Sequence, residues 1–183
     1  MRYSRGGSAI GGFYRDAPVG NCSYSDVTVF SFHPVKIITT GEGGMLTGTP
    51  ELLERVRILS LHGMSCEAWG RYGKGGSWKY DVVAPGFKYN MTDIQASIGI
   101  CQLRKLSEFQ QRRRQVVDAY RAALAELDAI QLPVERGPIE HAWHLFVIRL
   151  REGQLKINRD QFVEQLTAHN IGTSVHFIPI HMH

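Results

Sequence analysis

The sequence predicts an α/β fold. Three observations carry that prediction: an alternation of β-branched and aromatic residues over 26–32, helical patterns whose starts are marked by capping residues, and a strand, helix, strand succession toward the C-terminus. The first element, Asp26 to Phe32, reads Asp-Val-Thr-Val-Phe-Ser-Phe after the turn residues Gly20 and Asn21, and is expected to be a buried strand. After Lys36, the stretch Thr39 to Gly44 is too rich in glycine for the interior of a helix or strand, so it predicts a loop returning into a second strand over Met45 to Thr47. Thr49 supplies an N-cap oxygen with Pro50 at the first helical position, and Leu52, Leu53, Val56 and Leu59 form an apolar stripe ending near Gly63. From Met64 to Pro85 no period is sustained, which predicts a long loop.

Thr92 and Gln95 form a capping box. The helical pattern that follows, through Ile94, Ile98, Cys101 and Leu106 to Val116, Tyr120, Ala123 and Leu127, is too long for one ordinary helix, so a bend or a second helix is expected. Such a helix carries the chain out of one domain, and a boundary is placed near Arg112, giving domains over 1–112 and 113–183. Pro133 to Pro138 reads as a polar turn region, Trp143 to Leu150 as β-prone, Asn158 with Gln161 as the capped start of a helix ending at Gly172, and Thr173 to Ile180 as a strand. The chain stops at His-Met-His without a closing helix, and it is expected to be a piece of a longer protein.

Composition narrows the function classes. With 43% hydrophobic and 21% charged residues the chain has the makeup of an ordinary globular protein with an apolar core. The excess of 21 basic over 17 acidic residues is mild and dispersed, and its densest run, Arg112 to Arg114, falls inside a helical pattern where a solvated face is the expected role; no nucleic-acid partner is predicted. Cys22, Cys66 and Cys101 lack the spacing of a disulfide framework or a zinc site, which fits a cytoplasmic location. No apolar run is long enough for a membrane span, and neither signal peptide nor membrane anchor is read. His176, His181 and His183 have no carboxylate or cysteine to complete a ligand set, so no metal is expected.

The densest chemical signal is Ser31-Phe32-His33-Pro34-Val35-Lys36 followed by Gly41-Glu42-Gly43-Gly44. An ammonium ion beyond a buried strand is costly to desolvate unless it is paired or loses its proton, and a neutral amine condenses with carbonyl groups. Lys36 is therefore a candidate nucleophile; a lysine whose head simply reaches solvent satisfies the same residues. Trp69, Tyr72, Trp78 and Tyr80 in the long loop can stack on a nucleotide base or pack against a second subunit.

The stretch Asp26 to Met45 resembles the cofactor-lysine segment of the DegT/DnrJ/EryC1/StrS sugar aminotransferases. Three further blocks are similar and stand in the family's order: Pro85-Gly86-Phe87-Lys88-Tyr89-Asn90-Met91-Thr92-Asp93-Ile94-Gln95-Ala96, then His141-Ala142-Trp143-His144-Leu145, then Ile171 to Phe177. The likeness spans about residues 9–183 and is closest to the transaminases that make 4-amino sugars on UDP carriers for pseudaminic acid or aminoarabinose. It implies part of a fold type I, aspartate aminotransferase-like PLP-dependent transferase, with 1–112 from the large cofactor-binding domain and 113–183 the start of a small C-terminal α/β domain.

By this resemblance Lys36 carries pyridoxal 5′-phosphate as a Schiff base and moves the proton, and a lysine here, where related sugar dehydrases have histidine, implies transamination. Ser31 matches a serine that binds the cofactor phosphate, or is a satisfied strand-end hydroxyl. Lys88 and Asn90 stand where members commonly carry asparagine and arginine, in a loop reaching the phosphate of the neighbouring subunit; an ordinary loop leading into the helix is the alternative. His176 matches a histidine near the substrate nucleotide, or is a structural hydrogen-bonding residue. The implied partners are a UDP-linked keto sugar, glutamate as amino donor, and a second copy of the chain in a homodimer with a shared site. Aligning Ala9-Ile10-Gly11 with the end of the family's Asp-x-x-His-Ala-x-Gly block puts Ser8 at the histidine and Arg5 at the aspartate, so Met1 to Ser8 departs from the pattern. Two other classes share these motifs: a catalytically dead fragment acting as an interaction module, and an aminotransferase for another keto substrate.

Overall fold

The structure, a computed structural model, describes residues 3–5, 9–65, 80–151 and 153–182. Two compact units emerge, one of Met1–Val117 with Glu135–Leu145, the other of Asp118–Val134 with Phe146–His183.

In the first unit, β1 (Tyr3–Arg5) runs parallel to β4 (Val27–Ser31), which pairs antiparallel with β5 (Gly44–Gly48), so β4 is the central strand. The alternating residues over 26–32 thus form the strand they predict. Val27, Thr28 and Phe30 are buried while Val29 is half exposed. Phe30, Phe32, Ile37, Ile38 and Ala142 form the core, with Met91, Leu106 and Phe109 packed against it. β1 lies within the N-terminal residues that depart from the family pattern, and no local periodicity announced it.

Between them, β2 (Phe13–Tyr14) and β3 (Ala17–Pro18) make a hairpin whose turn residues Arg15 and Asp16 both have left-handed φ, 48° and 60°. The twist of a two-residue hairpin demands that conformation, but the sequence carries none of the usual Asn-Gly signal. β2 also pairs with β7 (Ile139–Glu140).

The helix α1 (Pro50–Ser60) is capped by Thr49, whose hydroxyl accepts from Leu52 N–H, and it ends where Gly63 N–H donates to Ile58 O across the left-handed His62. The long pattern after Thr92 divides into α2 (Asp93–Arg104) and α3 (Leu106–Leu124), separated at Lys105. Most of the predicted long loop, 66–79, including Trp69, Tyr72 and Trp78, lies outside the described residues.

The boundary read near Arg112 differs from the observed division. The chain leaves the first unit after Val117 and re-enters it at Glu135, because β7 pairs with β2, Ala142 and Trp143 are buried there, and Arg113 donates to the carbonyls of Trp143 and His144. These are pairings across a long stretch of sequence, which composition and period do not register.

In the second unit β6 (Ile130–Gln131) pairs with β8 (Arg149–Leu150), the only strand formed within the β-prone stretch 143–150. The helix α4 (Arg159–Ala168) begins at the Asn158 and Gln161 capping box. It ends short of Gly172: Asn170 adopts a left-handed φ of 59°, and Ile171 N–H and Asn170 N–H donate to Leu166 O and Thr167 O. The strand expected over Thr173 to Ile180 is not formed; 173–179 has no regular structure and a short 3-10 turn follows at Ile180–Met182. A strand persists only where a neighbour takes its backbone groups, and among the described residues none lies beside this segment.

Candidate active site

Lys36 sits on the connection between the paired strands β4 and β5. Its amide donates to His33 O at 2.9 Å, closing a β-turn with Pro34 at the position where a fixed φ favours the bend. The hydrophobic residues on either side decide how deep the lysine sits. Phe32, Ile37 and Ile38 are almost fully buried, which pulls the whole turn onto the sheet and leaves Lys36 half-buried rather than extended into solvent.

The rest of the connection is fastened by its own polar groups. Phe32 N–H donates to Gly43 O at 2.8 Å, continuing the β4–β5 ladder by one step, and Phe32 O accepts both Thr40 N–H at 3.0 Å and the Thr39 hydroxyl at 2.8 Å. The Thr39 hydroxyl in turn accepts Gly41 N–H at 3.0 Å, and the buried Thr40 hydroxyl donates to Glu42 O at 2.7 Å. Above the turn, His33 Nε2 lies 3.7 Å from Glu42 Oε1, an exposed pair worth little. The glycines are required here: a Cβ on Gly43 would run into Thr40 Oγ1 and come within 3.0 Å of Met91 Cε.

Ser31 is the last residue of β4, half-buried, and its hydroxyl accepts His33 N–H at 3.4 Å. Lys88 and Asn90 share one loop, where the Lys88 ammonium donates to the Asn90 side-chain carbonyl. That loop is held at its start by Phe87 N–H donating to Leu59 O and Tyr89 N–H to Ser60 O. At its end Met91 packs on the core beneath the Lys36 connection, and Gln95 Nε2 donates to Glu42 O at 2.8 Å. Three of the predicted site residues, Lys36, Lys88 and Asn90, therefore belong to two loops joined through Met91 and Gln95, with Ser31 at the strand end that leads into the first. His176 lies in the second unit, exposed, its ring 4.5 Å from that of Phe177.

Sequence reasoning identified Gln95 only as a helix cap. Its hydrogen bond to Glu42 O, and the placement of the buried Gly99 where an added Cβ would lie 3.0 Å from Thr40 Cγ2, were not foreseen. Glu135 was missed as well. It accepts two hydrogen bonds from Arg114, at 2.6 and 3.0 Å, and one from His141 N–H at 2.6 Å, which holds the His141 to Trp143 segment against α3 and seats Ala142 in the core with Phe32, Ile37 and Ile38. A lone glutamate in a turn region gives no local sign of such a role.

A pyridoxal phosphate needs a primary amine for its aldehyde and neutral as well as cationic donors for its phosphate. The Lys36 amine, the Ser31 hydroxyl and the Lys88–Asn90 pair are groups of those chemical types, and the half-buried lysine stands on a fastened turn, so the chemistry of these residues fits the group. Among the described residues, no helix is long and apolar enough to cross a membrane.

An uncharacterized protein of Methanocaldococcus jannaschii is 47% identical over 176 residues, covering 96% of this chain and 45% of its own length. The spore coat polysaccharide biosynthesis protein SpsC of Bacillus subtilis is 44% identical over 172 residues, 93% of this chain and 44% of SpsC. Among solved structures, Spr1654 of Streptococcus pneumoniae, described as a sugar aminotransferase, superposes in its PMP form with a TM-score of 0.84 at 35% identity, over 98% of this chain and 46% of that one. Its PLP form gives 0.82. The chain spans less than half the length of these relatives. Residues 7–183 match the family as a whole, and with the α/β sheet and the lysine turn already in place, the chain belongs to the DegT/DnrJ/EryC1/StrS aminotransferase family.

Proposed function

We propose that this chain is the lysine-bearing part of a pyridoxal phosphate-dependent transaminase, and that the whole protein moves an amino group from glutamate to a 4-keto sugar on a UDP carrier, for polysaccharide or glycan synthesis. The observation that carries this reading is Lys36, half-buried on a tightly bonded turn after a buried strand, in a chain of an aminotransferase family. The sugar substrate is supported by SpsC, a polysaccharide biosynthesis protein, and by Spr1654.

When bound, pyridoxal phosphate supplies an aldehyde and an electron sink. Lys36 Nζ, in its neutral form, is the nucleophile toward that aldehyde, and after release it holds and returns the proton at the reacting substrate carbon. Ser31 donates its hydroxyl to the phosphate, with Lys88 and Asn90 reaching the phosphate of a neighbouring copy. The homodimer is supported by the exposed apolar side chains Ile94 and Ile98 on α2 and by the stacked, exposed rings of Phe87 and Tyr89 beside them in sequence. His176 is assigned to the nucleotide of the substrate. In this reading the first unit is part of the large cofactor-binding domain and the second belongs to the small C-terminal domain. The cytoplasm is the place of action, which fits the free thiols of Cys22 and Cys101.

Adding pyridoxal phosphate and following imine absorbance tests the core of this reading. The expected result is a band lost in Lys36→Ala and a borohydride-reduced adduct mapping to Lys36; no adduct at that position overturns it. Half-reactions with glutamate, then with a panel of keto sugar nucleotides, test the substrates.

A further inference from the structure

The side chain of Gln95 faces in two directions. Its Oε1 accepts Thr92 N–H at 3.0 Å and the Thr92 hydroxyl at 2.9 Å, completing the cap of α2, while its Nε2 donates to Glu42 O at 2.8 Å, far away in sequence. Glu42 O also accepts the buried Thr40 hydroxyl at 2.7 Å, and Thr40 N–H donates to Phe32 O, directly before the turn that carries Lys36. Gly99 lies one helical turn beyond Gln95, on the same face, and a Cβ there would crowd Thr40 Cγ2 at 3.0 Å. One unbroken run of hydrogen bonds therefore leads from Thr92, two residues after Asn90, through Gln95, Glu42 and Thr40 to Phe32.

We propose that Gln95 is a positioning residue that fixes the spacing between the Lys36 turn and the Lys88–Asn90 loop, so that the amine presented to one cofactor and the groups reaching the phosphate of a neighbouring copy's cofactor are held in register. The clause that concerns the cofactor rests on the reading of Lys36 given above. The chemistry explains the choice of residue. Glutamate closes a capping box as well as glutamine does, but a carboxylate has no N–H to give Glu42 O, so only glutamine serves both loops.

That difference separates the tie from the cap. Gln95→Glu keeps the acceptor for Thr92 and loses the donor to Glu42; Gln95→Ala loses both. Amide hydrogen exchange on the full chain is measured at Phe32, Thr40 and Gly41, whose acceptors lie in the Lys36 connection, and along α2, together with the affinity for pyridoxal phosphate. In Gln95→Glu the three connection amides are expected to exchange roughly fivefold faster, as for the loss of one net hydrogen bond. Cofactor affinity should fall by about the same factor, with α2 exchanging as in the wild type. Gln95→Ala should loosen α2 as well. The proposal is overturned if Gln95→Glu leaves the connection amides unchanged, or if it loosens α2 as much as alanine does. Should the wild type bind no pyridoxal phosphate, the functional reading fails, while the exchange data still decide whether the tie exists.

Discussion

Gly63 shows how single residues set the path of the chain beside the candidate site. Its φ is +70°, and an added Cβ would point into the carbonyl oxygen of Ala84, where the stretch before Lys88 crosses the end of α1. Gly63→Ala combines a left-handed backbone with a collision that only a main-chain shift relieves, and is expected to cost about 3 kcal/mol, read as a lower urea midpoint at unchanged slope. Glu51 acts more gently. Its carboxylate is held below the usual range first by its own backbone N–H and then by the Thr49 hydroxyl, against the smaller opposing effect of desolvation. Because the folded-state value lies below the unfolded one, the stabilisation is complete above the ordinary carboxyl range and is lost as pH falls through the folded value. Protection of the α1 amides, corrected for intrinsic exchange, should therefore weaken on acidification in the wild type and respond less in Glu51→Gln.

At the scale of elements, what matters is how segments distant in sequence are clamped together. Glu135 is mostly buried and takes two hydrogen bonds from Arg114 and one from the His141 amide, so removing it leaves a partly buried guanidinium and a backbone donor short of an acceptor. Glu135→Ala is expected to destabilise the chain by about 2–3 kcal/mol, with faster exchange at His141 and Trp143, while α4 in the second unit keeps its exchange rates. The helix starts, by contrast, are local devices: Thr49, Thr92 and Asn158 each cap the helix that the sequence assigns to them. A cap needs only residues three positions apart, so it is legible in a short window. The end of α4 was harder to place, because a left-handed asparagine at 170 does the work usually given to glycine.

For the whole molecule, the proposed cofactor contacts lie mostly in the first unit, in the Lys36 connection and the Lys88–Asn90 loop. Pyridoxal phosphate at a hundred times its dissociation constant should stabilise by about 2.7 kcal/mol. Its protection should concentrate over 31–44 and 88–95, while the amides of α4 keep their wild-type exchange; hydrogen exchange with and without cofactor checks this distribution. The large apolar side chains left exposed on α2 belong to the same scale, because a helix alone does not determine what covers it.

The strand carrying Val27 and Phe30, the capped helix starts and the loop returning from Lys36 into β5 were all legible in short-range pattern, since propensity and capping act over a few neighbouring residues. Tertiary structure alone decided that 135–145 returns to the first unit, that Tyr3–Arg5 lies beside β4, that 173–179 forms no strand, and that Gln95 fastens the lysine connection to the next loop. Each of those outcomes turns on which backbone groups find partners across long separations, and chain-distant hydrogen bonds leave no period in the sequence.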